Sequence, residues 1–134
     1  MDRRFTPLLL VAALVGCDTL PVRVPVPRNA QVHAALQSAA QQVRRCYRAP
    51  RVTSDGNQII TKLRVRLTPD GALAGLPRLL VQSGVTPANR PYAGPMAEAA
   101  IEAVMRCAPL RLPPALYLNG WSDFDLTFSP LAVV

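Results

Sequence analysis

Between Val32 and Cys46, apolar side chains recur every three or four residues: Val32, Leu36, Ala39, Val43 and Cys46. That spacing predicts an amphipathic helix over about Ala30 to Tyr47, with Asn29 as its N-cap and Pro50 as its stop. Gln31, Gln37, Gln41, Gln42 and Arg44 take the wet side, and Arg44 and Arg45 suit the carboxyl end, where a helix dipole favours cations. From Ile59 the period becomes two. Leu63, Val65 and Leu67 fall on one face of a strand and Lys62, Arg64 and Arg66 on the other. "TPDG", Thr68 to Gly71, predicts a turn, and Leu73 to Gln82 predicts the returning strand. Pro77 cannot donate to a ladder, so that strand is expected at an edge or with a bulge.

A loop rich in Gly and Pro is expected from Ser83 to Gly94. Pro95 fits a first helical position, and "PMAEAAIEAVMRC" predicts a second helix with Ala97, Ile101 and Val104 as its stripe and Ala100 beside it. Pro109 ends it, and "PLRLPP" reads as a stiff connection. In "WSDFDLTF" alternation returns, with Phe124, Leu126 and Phe128 on one face and Asp123, Asp125 and Thr127 on the other. The order α-β-β-α-β predicts an α+β fold: a three-stranded antiparallel sheet with both helices packed on one face. With the first and last strands as neighbours, Lys62, Arg64 and Arg66 lie beside Asp123 and Asp125, an attractive cross-strand arrangement.

Ahead of this domain the pattern is different. Arg3 and Arg4 precede an unbroken apolar run, Leu8 to Val15, which ends in Gly16 and Cys17. A charged start, a short apolar run and a small residue read as an export signal over residues 1–16. The run is too short to span a bilayer, which takes about 20 apolar residues. Leu14-Val15-Gly16-Cys17 resembles a bacterial lipobox, in which the cysteine is acylated and becomes the new first residue, the alternative being an ordinary signal peptide with a chance cysteine. The lipobox implies a palmitate-type anchor at Cys17 and a protein held to the inner or outer membrane without crossing it. Residues 17–29, with prolines at 21, 25 and 27, read as an extended tether, with a short edge strand as the alternative, 30–130 as the domain, and 131–134 as a tail.

The 134 residues carry a formal charge of +7, almost all of it arginine, which points to an anionic neighbour and is equally what a GC-rich genome produces. Of the three cysteines, Cys46 and Cys107 each close a helix after an arginine. Outside the cytoplasm they are expected to pair as a disulfide, the alternative being two buried free thiols. No C-x-x-C spacing suggests a metal or redox site, and no cofactor or metal is expected. His33 has no nucleophile motif to serve and reads as a helix-surface histidine. Asp123 and Asp125 stand about 7 Å apart on one strand face. That separation suits two-carboxylate hydrolysis, but their arginine neighbours favour salt bridges. Lys62, Arg64 and Arg66 have no interleaved aromatics, which argues against nucleic acid and leaves anionic headgroups.

Taken in order, "CYRAP", "VRVRLTPDGALAGLPRLL", "QSG", "AAIEAVMRCAPLRLP" and "WSDFDLTFSP" resemble the carboxyl-terminal domain of TolA, within the TolA/TonB group. The resemblance implies the helix and sheet arrangement above and a periplasmic protein-binding module without catalysis. It differs from a TolA transducer in lacking both the transmembrane helix and the long lysine- and alanine-rich helix, so a lipid-tethered module is expected rather than a transducer. The implied partner is an envelope protein, of the Tol system or similar, recognised by strand addition. The expected edge runs from Trp121 to Phe128, through Asp123, Phe124, Asp125, Leu126 and Thr127. The alternative expectation is a basic structural domain that binds anionic lipid or cell wall.

Overall fold

The computed structural model describes Gly16, Pro21 and residues 23–134. The expected export signal, apart from Gly16, and Cys17 lie outside the described residues. The elements follow the expected order: α1 (Arg28–Cys46), β1 (Ile60–Arg66), β2 (Arg78–Ser83), α2 (Arg90–Cys107) and β3 (Asp123–Phe128). The sheet runs β2-β1-β3 with both pairings antiparallel. The helices bury their apolar stripes in one cluster with the sheet's inner face.

α1 begins ahead of Ala30, so Arg28 and Asn29, expected to be extended, belong to the helix. Pro27, rather than Asn29, occupies the cap position and offers its carbonyl to the Gln31 amide at 3.1 Å. Asn29 lies inside the first turn, its Oδ1 accepting from the Ala30 amide at 2.9 Å. The early start has a long-range cause. The Arg28 guanidinium donates to the carbonyls of Leu118 (2.7 Å) and Ala115 (3.2 Å), fixing the helix to chain some ninety residues away. Ala35, Ala39, Ala40 and Val43 are the buried residues of α1, with Val32 and Leu36 at the margin. Gln42 is not on the wet side. Its amide donates to the Arg111 carbonyl and accepts from the Arg111 N–H, both at 2.8 Å.

α2 starts five residues before the expected Pro95, and the loop after β2 is correspondingly shorter. Pro91 sits in the first turn, where its missing N–H costs nothing, and Pro95 lies inside the helix. Met96, Ala100, Ala103 and Val104 are buried. Small side chains on both helices allow close approach, and the Cys46–Cys107 disulfide joins their carboxyl ends with a Cα–Cα distance of 5.8 Å.

β1 and β3 alternate as the sequence predicts. Leu63, Val65 and Leu67 are buried on one side, and Phe124, Leu126 and Phe128 face them from β3. The "TPDG" turn closes with the Gly71 amide donating to the Thr68 carbonyl at 2.9 Å. Gly71 has φ +84°, and a side chain there would run into the Leu110 carbonyl, so both backbone and space demand glycine. The returning strand is shorter than Leu73 to Gln82. Leu73 makes an isolated bridge to Leu67, and regular pairing resumes only after Pro77. A register shift opposite Lys62 and Leu63 leaves Leu80 as the extra residue of a bulge.

The connection from α2 to β3 is folded rather than a plain linker. Trp121 is fully buried, donates from Nε1 to the Pro113 carbonyl at 2.7 Å, and meets Tyr117 edge to face with centroids 4.8 Å apart. The Tyr117 hydroxyl donates to the Leu67 carbonyl at 2.8 Å. Trp121 therefore anchors the core ahead of β3 and is not part of an edge strand. Residues 131–134 are not a loose tail either: Val133 is 6% exposed and bridges back to Phe128.

Candidate functional site

The sheet offers three surfaces for a partner: the outer edge of β3, the outer edge of β2, and the face turned away from the helices. On that open face the charged residues of β1 and β3 come together as the alternation requires. Arg64 pairs with Asp125 and Arg66 with Asp123 across the ladder, and Lys62 lies opposite Thr127. The Arg64 Nε donates to Asp125 Oδ1 at 2.5 Å and lies 3.5 Å from Asp123 Oδ1, so one guanidinium holds both carboxylates. Hydrogen bonding to Asp125, then its charge and that of Asp123, push the Arg64 pKa up. The two aspartates are thus occupied as salt-bridge acceptors. His33 is exposed on α1 and shares a groove with Asp125 without a hydrogen bond between them. Among the described residues no group of three or more His, Cys, Asp or Glu is placed to hold a metal ion. No described helix is long and apolar enough to cross a membrane.

The β3 edge, where strand addition was expected, is partly closed. In an antiparallel ladder the backbone groups of successive residues point alternately inward and outward. The Thr127 amide donates to the Val134 carbonyl at 2.7 Å, and the Val134 amide donates back at 2.9 Å, so Thr127 points outward and is satisfied. By alternation Asp123 and Asp125 also point outward, and Phe124 and Leu126 bond inward to β1. Only two residues of β3, Asp123 and Asp125, keep an outward backbone without a partner among the described residues, about 7 Å of strand. The groove beside them is walled by α1 on one side and by Val133 and Val134 on the other. Of the residues expected at the binding edge, Trp121 is in the core, Phe124 and Leu126 turn inward, and Thr127 is taken by the chain's own end.

The β2 edge is expected from Pro77 as an edge, though the sequence points to β3 for binding. Ile60, Lys62 and Arg64 bond toward β2, since their neighbours Thr61, Leu63 and Val65 face β3. Arg78, Val81 and Ser83 accordingly point inward, and Leu79 and Gln82 point their backbone outward. Arg78, Leu79, Leu80 and Val81 are all exposed, and Leu76 and Val85 extend the apolar surface at either end. The Gln82 side chain donates to the Thr61 hydroxyl (3.1 Å) and the Ala93 carbonyl (2.7 Å), which fixes the strand against α2. The signal for this edge was in the sequence: "RLLVQS" follows Pro77 and holds no acidic residue. Pro77 marks the strand as an edge or a bulged one, and it is both: it lies outermost in the sheet and carries the bulge at Leu80.

The loops that flank β2 are held by polar contacts, buried at one end and exposed at the other. Asn89 is fully buried; its amide donates to the carbonyls of Asp55 and Gly84, both at 2.9 Å, and its Oδ1 accepts from the Thr86 amide at 2.7 Å. At the other end, Thr68 Oγ1 donates to the Asp70 carboxylate, and this hydrogen bond, with the Asp70 and Ala72 backbone, holds the Asp70 pKa below its usual value.

Residues 29–118, from α1 to the turn before β3, match the model of the family described as "Uncharacterised conserved protein UCP034077", and the chain belongs to that family. No curated protein matches the sequence.

Proposed function

We propose that this member of the family is a membrane-tethered periplasmic lipoprotein whose TolA-like domain binds an envelope protein by strand addition, without catalysis. The observation that carries the reading is the β2 edge. Its three consecutive exposed apolar side chains, Leu79, Leu80 and Val81, sit on a strand with no outer neighbour among the described residues. A hydrophobic edge strand invites pairing with another chain, and folded proteins ordinarily cover or charge such edges. As a binding site it gives backbone hydrogen bonds for affinity and alternate side chains for specificity. The lipobox-like Leu14 to Cys17 supports the tether, and the Cys46–Cys107 pair fits an oxidising compartment.

A second reading, a basic domain bound to anionic lipid or cell wall, draws on the open face. Lys62 and Arg66 make no ion pair there among the described residues. One comparison separates the two. Chemical crosslinking in intact envelopes, followed by recovery of the chain, is expected to bring down a discrete envelope protein. Leu79→Pro removes an outward N–H and leaves the inward ladder intact, so it is expected to abolish that recovery. Equal recovery with Leu79→Pro, or no protein partner at all, would contradict strand addition at β2. Loss of envelope association on reversing Lys62, Arg64 and Arg66 to glutamate, with protein contacts kept, would favour the second reading.

A further inference from the structure

The charges across the open face make a row that is complete at one end only. Asp125, Arg64 and Arg78 are successive cross-strand neighbours on β3, β1 and β2. Arg64 is held by Asp125 and Asp123, whereas Arg78, directly opposite it, has no carboxylate within salt-bridge distance among the described residues. Like charges placed opposite one another are unfavourable, so the row lacks an anion on the outer side of β2. Arg64, Arg66 and Arg78 also line a pocket of about 210 Å³ on this face with the chain at Ala74 to Leu76; its one carboxylate, Asp123, lies on the β3 side beside Arg64, away from Arg78.

We propose that the β2 edge takes an extended protein segment with an acidic side chain opposite Arg78, on the open face, and an apolar side chain opposite Leu79, on the helix face. The inference rests on the strand-addition reading and names the chemistry of its partner. Arg78 bonds its backbone to β1, so in an antiparallel addition it faces the newcomer as a non-hydrogen-bonded pair, the closer kind, with Cα atoms about 4.5 Å apart. A carboxylate there meets the Arg78 guanidinium and the edge of the arginine pocket, an interaction favoured by charge-assisted hydrogen bonding. Leu79 and Gln82 supply the backbone hydrogen bonds, and the exposed apolar run supplies the buried area. A second copy of this chain fits poorly. Two β2 edges laid together would set one arginine-rich face beside another on chains of formal charge +7.

Two short peptides of equal length, one alternating valine with glutamate and the other valine with lysine, test this on the ¹⁵N-labelled chain. The glutamate peptide is expected to shift the amide signals of Leu79 and Gln82 and to bind at least about tenfold more tightly than the lysine peptide, the ratio of one good charge pair. Arg78→Glu is expected to reverse that order, and Arg78→Gln to erase it; unchanged core signals verify that each variant folds. Equal affinities with shifts still at Leu79 and Gln82 would overturn the acidic preference and leave strand addition standing. Shifts confined to β3, or none from either peptide, would overturn both. Arg78-dependent binding to phosphatidylglycerol vesicles that also displaces the glutamate peptide would assign the arginines to a lipid surface and overturn the proposal.

Discussion

Asn89 shows what a single buried amide does for this fold. It ties the turn at Asp55 to the loop after β2, across 34 residues of sequence. Asn89→Ala leaves the Asp55 and Gly84 carbonyls and the Thr86 amide without that partner, and is expected to cost about 1–3 kcal/mol in urea denaturation. Tyr47 is the opposite case. It packs edge to face on Phe128, but its buried hydroxyl has no partner among the described residues, and burial pushes its pKa up. Tyr47→Phe is therefore expected to be neutral or stabilising in the same measurement, since an unsatisfied group is removed. Asp70 gives a pH-dependent prediction. Its carboxyl pKa is lowered in the folded chain, so its contribution is present above the unfolded value and fades as pH falls through the folded one. Thr68→Val removes the first cause and should move the Asp70 titration back toward the ordinary range; an unmoved NMR titration would contradict that cause. In the sequence, Asn89 and Tyr47 were one loop residue and one helix-end aromatic, because their partners lie far along the chain.

The strands β1 and β3 were legible because their code is local: burial alternates residue by residue, and apolar residues follow it except at Ile60 and Thr61. The start of α2 was less legible. Pro95 looks like a first helical residue, yet Pro91 serves that purpose and the helix accommodates Pro95 within. The closing of β3 by Val133 and Val134 was also hidden, since a short apolar end carries no periodicity to read. A chain ending after Pro130 is expected to expose the Thr127 amide, and its hydrogen exchange should rise toward that of Asp125. An unchanged rate would mean that the end segment does not protect the edge. The disulfide was legible from position, as both cysteines close helices. Reducing it opens a loop of 61 residues, and the chain-entropy model puts the loss at about 4 kcal/mol in a denaturation midpoint comparison.

At the scale of the whole molecule, the features separate by place. The helices and disulfide make the rigid side, and the open face and β2 edge make the side available to a partner. The basic balance was plain in the composition, but its distribution was not: Arg64 is neutralised within the sheet, while Arg78 and Arg66 make no ion pair among the described residues. In the proposed tethered state, Cys17→Ser is expected to move the protein from the membrane to the soluble fraction, and mass spectrometry of the mature amino terminus should find acyl chains on Cys17. The most direct test is hydrogen–deuterium exchange of the chain alone and in the complex recovered from crosslinked envelopes. Strand addition at β2 predicts new protection across residues 78–83, centred on Leu79 and Gln82, with residues 123–128 unchanged. Protection confined to residues 123–128, or none in either strand, would contradict it.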